Sequence, residues 1–131
     1  VKQDSRPTNV GISDLMSFRW PITAIASITH RVAGAVLFVG IAFLLFALDM
    51  SLSSEAGFET LKASMTSPLG MFITWGLLAA LAYHFVAGIK HLIMDMGIGE
   101  TLEGGQFAAK TTLFFAAILI ALAAVWVIQG G

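Results

Sequence analysis

The chain contains no cysteine. That excludes disulfides, cysteine-ligated zinc and any iron–sulfur cluster held by its own thiolates. Charge is nearly as scarce. Only 11% of residues are charged, where a soluble domain carries about a quarter. The formal net charge of −1 gives no electrostatic footprint for nucleic acid. Residues 1–20 contain no apolar core of a cleavable signal, so no secretory leader is expected. Asp4, Asp14 and sparse arginine argue against a transit peptide as well.

What is abundant is apolar surface. The 131 residues are 57% hydrophobic with a mean hydropathy of +0.87. Lipid must therefore be a large part of this chain's solvent. Three apolar runs, about 21–48, 68–89 and 111–128, are each long enough to cross a ~30 Å hydrocarbon core as a helix. They predict an all-α membrane protein with three transmembrane helices over residues 21–131. A polar arm, 1–20, precedes them. Within it, Arg6-Pro7 reads as extended or turn, and Ile12-Ser13-Asp14-Leu15 as the opening of a short interfacial turn or helix. Pro21 sits where a helix can begin without losing a useful donor. The segments 49–67 and 90–110 are read as loops, with Phe58 and Leu61 allowing a short surface helix in the first.

Lys2, Arg6, Arg19, Arg31, Lys90 and Lys110 fall on one side of these spans, and Lys62 alone on the other. The positive-inside rule puts the N-terminus and the second loop in the cytoplasm and the C-terminus outside. A small multi-pass protein of this kind suits the inner (cytoplasmic) membrane of a bacterium. The costly side chains then gather in the cytoplasmic half.

Two groups of residues carry candidate chemistry. Ser27-Ile28-Thr29-His30-Arg31 opens the first span with a hydroxyl, an imidazole and a guanidinium at the edge of hydrocarbon. Ser27 and Arg31 share a face at helical spacing. Ionisable groups at such depth are functional candidates, although a snorkelling arginine is the plain reading. A quinone head needs donors to its carbonyl oxygens and a fixed cation to hold the charge that reduction puts there. Ser27 and Arg31 suit that need, with Trp20 and Ile28 as walls.

The second group lies on the second span. His84 interrupts an apolar run in which Gly76, Ala80 and Gly88 recur at fourfold spacing. It can hydrogen-bond a neighbouring helix, or ligate haem iron in a slot that small residues leave open. One helix cannot supply both axial ligands, so His91 is not the second; that ligand must come from another chain or from His30. His30 and Arg31 are better placed to pair with haem propionates. His91, with Asp95 four residues on, reads as an interfacial histidine–carboxylate pair.

These residues resemble a known family. Arg6-Pro7 with Ser27-Ile28-Thr29-His30-Arg31, and the run from His84 through Gly88, Lys90, His91 and Asp95 to Gly97, resemble the cytochrome b556 membrane-anchor subunits of succinate dehydrogenase (respiratory complex II), close to the enterobacterial form. The resemblance implies three transmembrane helices packed beside a second small anchor subunit, with haem b shared between them. It implies His84 as one axial ligand, a histidine of the second anchor as the other, and His30 and Arg31 on the propionate side. Ubiquinone would bind at Ser27 and Arg31, near an iron–sulfur subunit. FAD and the iron–sulfur clusters would belong to the flavoprotein and iron–sulfur partners, which the anchor tethers to the membrane. Association into a trimer of heterotetramers is left open. Lys90 stands where arginine is usual, and Ala33 where a small hydroxyl residue is common. The alternatives are a haem-free structural anchor of a related fumarate-reducing complex and, less well supported by spans without a midplane charge pair, a transporter component.

Overall fold

The computed structural model describes residues 11–17 and 19–130. The Arg6-Pro7 motif and Lys2 lie outside the described residues. Five helices follow one another: α1 (Ile12–Ser17), α2 (Ile22–Ser53), α3 (Glu55–Thr66), α4 (Pro68–Asp95) and α5 (Leu102–Gly130). Helices α2, α4 and α5 are long and apolar enough to cross a membrane.

Local chemistry punctuates the chain. Pro21, at φ −66°, is pre-set to lead into α2. Ser54 ends α2 in extended conformation and caps α3, its hydroxyl accepting from Gly57 N at 2.9 Å. Ser67 does the same between α3 and α4, accepting from Gly70 N at 3.1 Å, with Pro68 in the first turn. Both junctions satisfy amide donors that a helix start leaves without partners. Thr101 caps α5 through Gly104 N at 3.0 Å. The turn after α4 carries Gly97 at φ 85° and Gly99 at φ 75°, a left-handed conformation that costs a side-chain-bearing residue about 1–2 kcal/mol.

The helices run further than the apolar stretches. α4 continues past Ile89 to Asp95, and α5 begins at Leu102 rather than near Thr111. The second loop thus shrinks from 90–110 to 96–101. Hydropathy marks where lipid ends, whereas a helix continues into the headgroup region as long as its backbone bonds are kept. Lys90, His91, Glu103 and Lys110 are therefore helical. In the first loop, most of the segment is α3, and in the arm α1 starts at Ile12.

Small residues make the contacts between helices. Among the described residues, the buried apolar positions are Ala26, Ala33, Ala87, Ala109, Ala116 and Val127, and no large side chain is fully buried. Large apolar groups face outward, Phe38 at 78% exposure among them. Lipid is as apolar as leucine, so helices here gain by close backbone approach and by hydrogen bonds across the contact. Trp75 Nε1 donates to Ile120 O at 3.1 Å, tying α4 to α5. Tyr83 Oη donates to Ala26 O at 2.9 Å, tying α4 to α2. The start of α2, the end of α4 and the start of α5 meet at one end of the bundle. Phe58, Lys62, Thr74 and Trp126 meet at the other.

Candidate functional site

Three imidazoles converge at the end where α2 begins. His30 comes from the third turn of α2, and His84 and His91 lie two turns apart on α4. The rings of His30 and His84 stack with centroids 4.3 Å apart and planes 7° from parallel. His91 stands 5.0 Å from His30, tilted by 52°. Helical spacing alone does not bring His30 to the other two; the packing of α2 on α4 does.

Glycines make the approach of the rings feasible. A Cβ on Gly34 would lie 3.0 Å from His84 Cε1, and one on Gly88 would lie 3.9 Å from His30 Nε2. Each ring thus seats against a glycine of the opposite helix. Gly76 has open space beside it, so the small-residue strip on α4 is divided: Gly88 receives a ring of α2, while Gly76 receives nothing from the described residues.

The polar atoms of the two stacked rings have different fates. His84 Nδ1 lies 3.3 Å from the carbonyl oxygen of His30. A carbonyl only accepts, so this bond requires the proton on Nδ1, and Nε2 then carries the lone pair. His30 Nε2 is buried without a hydrogen-bond partner among the described residues. Leaving such an atom unsatisfied costs about 1–3 kcal/mol, and that cost marks it as a position awaiting a polar group.

Tyr83 steadies the pair from the neighbouring position on α4. Besides Ala26 O, its hydroxyl meets that of Thr29, which also donates to Ile25 O at 2.6 Å. Sequence patterning singles out neither Tyr83 nor Thr29. The available signal is a hydroxyl-bearing ring directly before the intramembrane histidine and a threonine directly before His30.

A cleft of about 530 Å³ opens beside the cluster, with Thr23, Ser27, Lys90, His91, Asp95 and Glu100 among its lining. It joins hydroxyl donors, an imidazole, an ammonium and carboxylates at one rim, where a polar head with carbonyl oxygens can be bound and supplied with protons. Of the residues predicted for a quinone head, Ser27 faces this cleft and Arg31 does not; Arg31 is exposed beside it. Trp20 and Ile28, 37% and 40% exposed, stand outside the cleft. His91 and Asp95 share its wall. Lys90, read from sequence only as a substitute for arginine, is buried.

Comparison with known proteins bears on this arrangement. Residues 6–125 match the family described as succinate dehydrogenase/fumarate reductase transmembrane subunits. The chain is 35% identical over 123 residues to the succinate dehydrogenase cytochrome b556 subunit of Coxiella burnetii, covering 93% of this chain and 96% of that one. It is 30% identical over 122 residues to the cytochrome b556 subunit of Paracoccus denitrificans, covering 93% and 92% respectively. The mitochondrial cytochrome b560 subunit of Sus scrofa is 34% identical over 87 residues, which is 65% of this chain and 52% of that one.

Proposed function

The chain belongs to the succinate dehydrogenase/fumarate reductase transmembrane subunits, and from that premise we propose that it is a haem b-binding anchor at which electrons from succinate reach ubiquinone. The observation that carries this reading is the convergence of His30, His84 and His91, with His91 also in the wall of a polar cleft.

The residues fit a haem. His84 donates through Nδ1 to a backbone carbonyl, the arrangement that orients a metal-ligating histidine and raises its basicity. Its Nε2 would hold the haem iron. His30 Nε2, buried and without a partner among the described residues, would be a donor for a propionate, and Arg31, the next residue on α2, is proposed to share that role. When bound, the haem supplies a one-electron carrier in an apolar setting. A second small anchor subunit would supply the other histidine.

Ubiquinone is the substrate proposed for the cleft. Ser27 donates to a carbonyl oxygen of its head, Lys90 in the cleft wall holds negative charge as reduction proceeds, and Arg31 adds its charge from the exposed flank. Protons enter from the side on which the cleft opens. By the distribution of lysine and arginine that side is the cytoplasm of a bacterium, which places the chain in the inner membrane with its C-terminus outside. A flavoprotein subunit and an iron–sulfur subunit dock there, so that FAD and the clusters stay in the partners. This chain contributes part of a quinone site and the tether, and no dehydrogenase chemistry of its own.

One observation favours the competing reading of a haem-free anchor: the His30 and His84 rings stack on each other and fill their own space. The reduced-minus-oxidised spectrum of the purified complex separates the two. A haem α-band that is lost in His84→Ala is expected. A band unchanged by that substitution overturns the ligand assignment, and absence of any band in the wild type favours the haem-free anchor.

A further inference from the structure

The helices of this chain satisfy most of their own hydroxyls. Ser51, Ser53, Thr60, Ser64, Thr74 and Thr111 each donate to a backbone carbonyl three or four residues back, at 2.8–3.0 Å. That is the ordinary habit of serine and threonine inside a helix. Thr23 and Ser27 break it. Neither hydroxyl has a hydrogen-bond partner among the described residues, although Thr29 on the same helix bonds back to Ile25 O at 2.6 Å. For Thr23 the usual acceptor is missing, because α2 begins only at Ile22. Ser27 has helical carbonyls behind it and leaves them unused.

Both residues line the polar cleft. They are four apart on α2, so their Cβ atoms stand about 5–6 Å from each other on one face. Thr23 Cγ2 lies 3.8 Å from where a Cβ on Gly105 of α5 would stand, so the methyl is seated at the contact between α2 and α5. A β-branched side chain is stiff at χ1, and seating the methyl fixes the direction of the hydroxyl as well. Two free donors one turn apart suit two neighbouring acceptors on one small molecule. A quinone carbonyl is one, and Ser27 takes it. Ubiquinone carries a methoxy oxygen on the ring carbon next to each carbonyl. A ring with methyl groups at those carbons offers the carbonyl alone.

We propose that Thr23 is a specificity-determining residue: its hydroxyl donates to the methoxy oxygen next to the carbonyl that Ser27 holds, so the cleft favours an alkoxy-substituted quinone. The proposal rests on the reading of the cleft as a quinone site and adds to it the group that chooses among quinones. A ring without the methoxy leaves the threonine hydroxyl without its acceptor, and discrimination follows from that loss.

The test uses the assembled complex and succinate-driven reduction of decyl-ubiquinone or its trimethyl analogue, in which methyls replace both methoxys. The readout is the ratio of the two kcat/KM values, in which any difference in potential between the quinones cancels when variants are compared. Thr23→Val keeps the shape and the methyl, and is expected to shrink the wild-type preference for the methoxy ring roughly two- to tenfold, the worth of one neutral hydrogen bond. Thr23→Ser is expected to keep the preference. Ser27→Ala is expected to slow both quinones and leave the ratio in place, because both carry the carbonyl. An unchanged ratio in Thr23→Val, with both quinones slowed in Ser27→Ala, overturns the proposal while the quinone reading stands. Full rates in Ser27→Ala overturn the quinone reading and the proposal with it. If Thr23→Val does not assemble, the two isomers of decyl-ubiquinone that keep a single methoxy decide on the wild-type complex. The tail fixes the orientation of the ring, so only the isomer with its methoxy beside the bonded carbonyl is expected to match decyl-ubiquinone. Equal kcat/KM for the two isomers overturns the proposal.

Discussion

Gly34→Ala sets two calculable effects against each other. An added methyl lies 3.0 Å from His84 Cε1 and 3.4 Å from Nδ1. Carbon atoms prefer about 3.5–4.0 Å, so the ring must retreat from α2 by roughly 0.5 Å. Its Nδ1 already lies 3.3 Å from His30 O, and contacts beyond about 3.6 Å no longer count as hydrogen bonds. The retreat therefore breaks this bond, at about 1 kcal/mol. Replacing a helical glycine by alanine returns about 1 kcal/mol of backbone entropy and propensity. The melting temperature of the complex is expected to stay nearly constant. Haem retention is expected to fall, because losing the partner that orients a ligating histidine costs on the order of 10–100-fold in metal affinity. Gly76→Ala provides the control, since none of the described residues lies within 4 Å of its added methyl. The assays are haem per complex, the shape of the α-band, and thermal melting. Wild-type haem content and α-band in Gly34→Ala would refute the reasoning, and so would an equal loss in Gly76→Ala.

Ser27→Ala, which removes a hydroxyl from the cleft wall, should lower quinone reduction on the order of a hundredfold, while succinate oxidation with an artificial acceptor persists; Arg31→Lys, outside that wall, should lower it less. Equal loss of both activities would point to faulty assembly. Tyr83→Phe removes the hydrogen bond to Ala26 O and should destabilise the α2–α4 contact by about 1 kcal/mol, read as a lower melting temperature without loss of the haem band. Gly70→Ala should be more damaging, because its methyl would lie 2.8 Å from Ser64 C and 2.9 Å from Met65 Cα. These are backbone atoms, so no rotamer relieves the clash, and a cost of about 1–3 kcal/mol should appear as faster proteolysis of the α3 segment.

Which helices exist was legible because a membrane imposes a length and a composition on each span. Where they end was not. Lys90, His91 and Asp95 read as loop because they are polar, yet α4 carries all of them. The backbone pays nothing for a polar side chain once the helix has left hydrocarbon. The serine caps at Ser54 and Ser67 were visible as residues, but within a serine-rich segment nothing in the sequence says which serine ends one helix and starts the next.

The candidate site divides in the same way. A histidine in an apolar run announces a function at position 84, and spacing shows that it shares a helix with His91. That His30 stacks on His84 depends on Gly34, Gly88, Ala26 and Ala87 allowing α2 and α4 to approach, a relation between helices that no periodicity within one helix encodes. Ser27 and Arg31 show how far two residues of one helical face can part. Residues four apart differ by about 40° around the axis and about 6 Å along it. That offset leaves Ser27 in the cleft wall and Arg31 on the exposed flank. Lys90 is the sharper case, since a lysine near a helix end is expected to reach water. Its burial follows from its place at the junction of α4 with both neighbours, where small residues such as Gly105 and Ala109 are themselves buried.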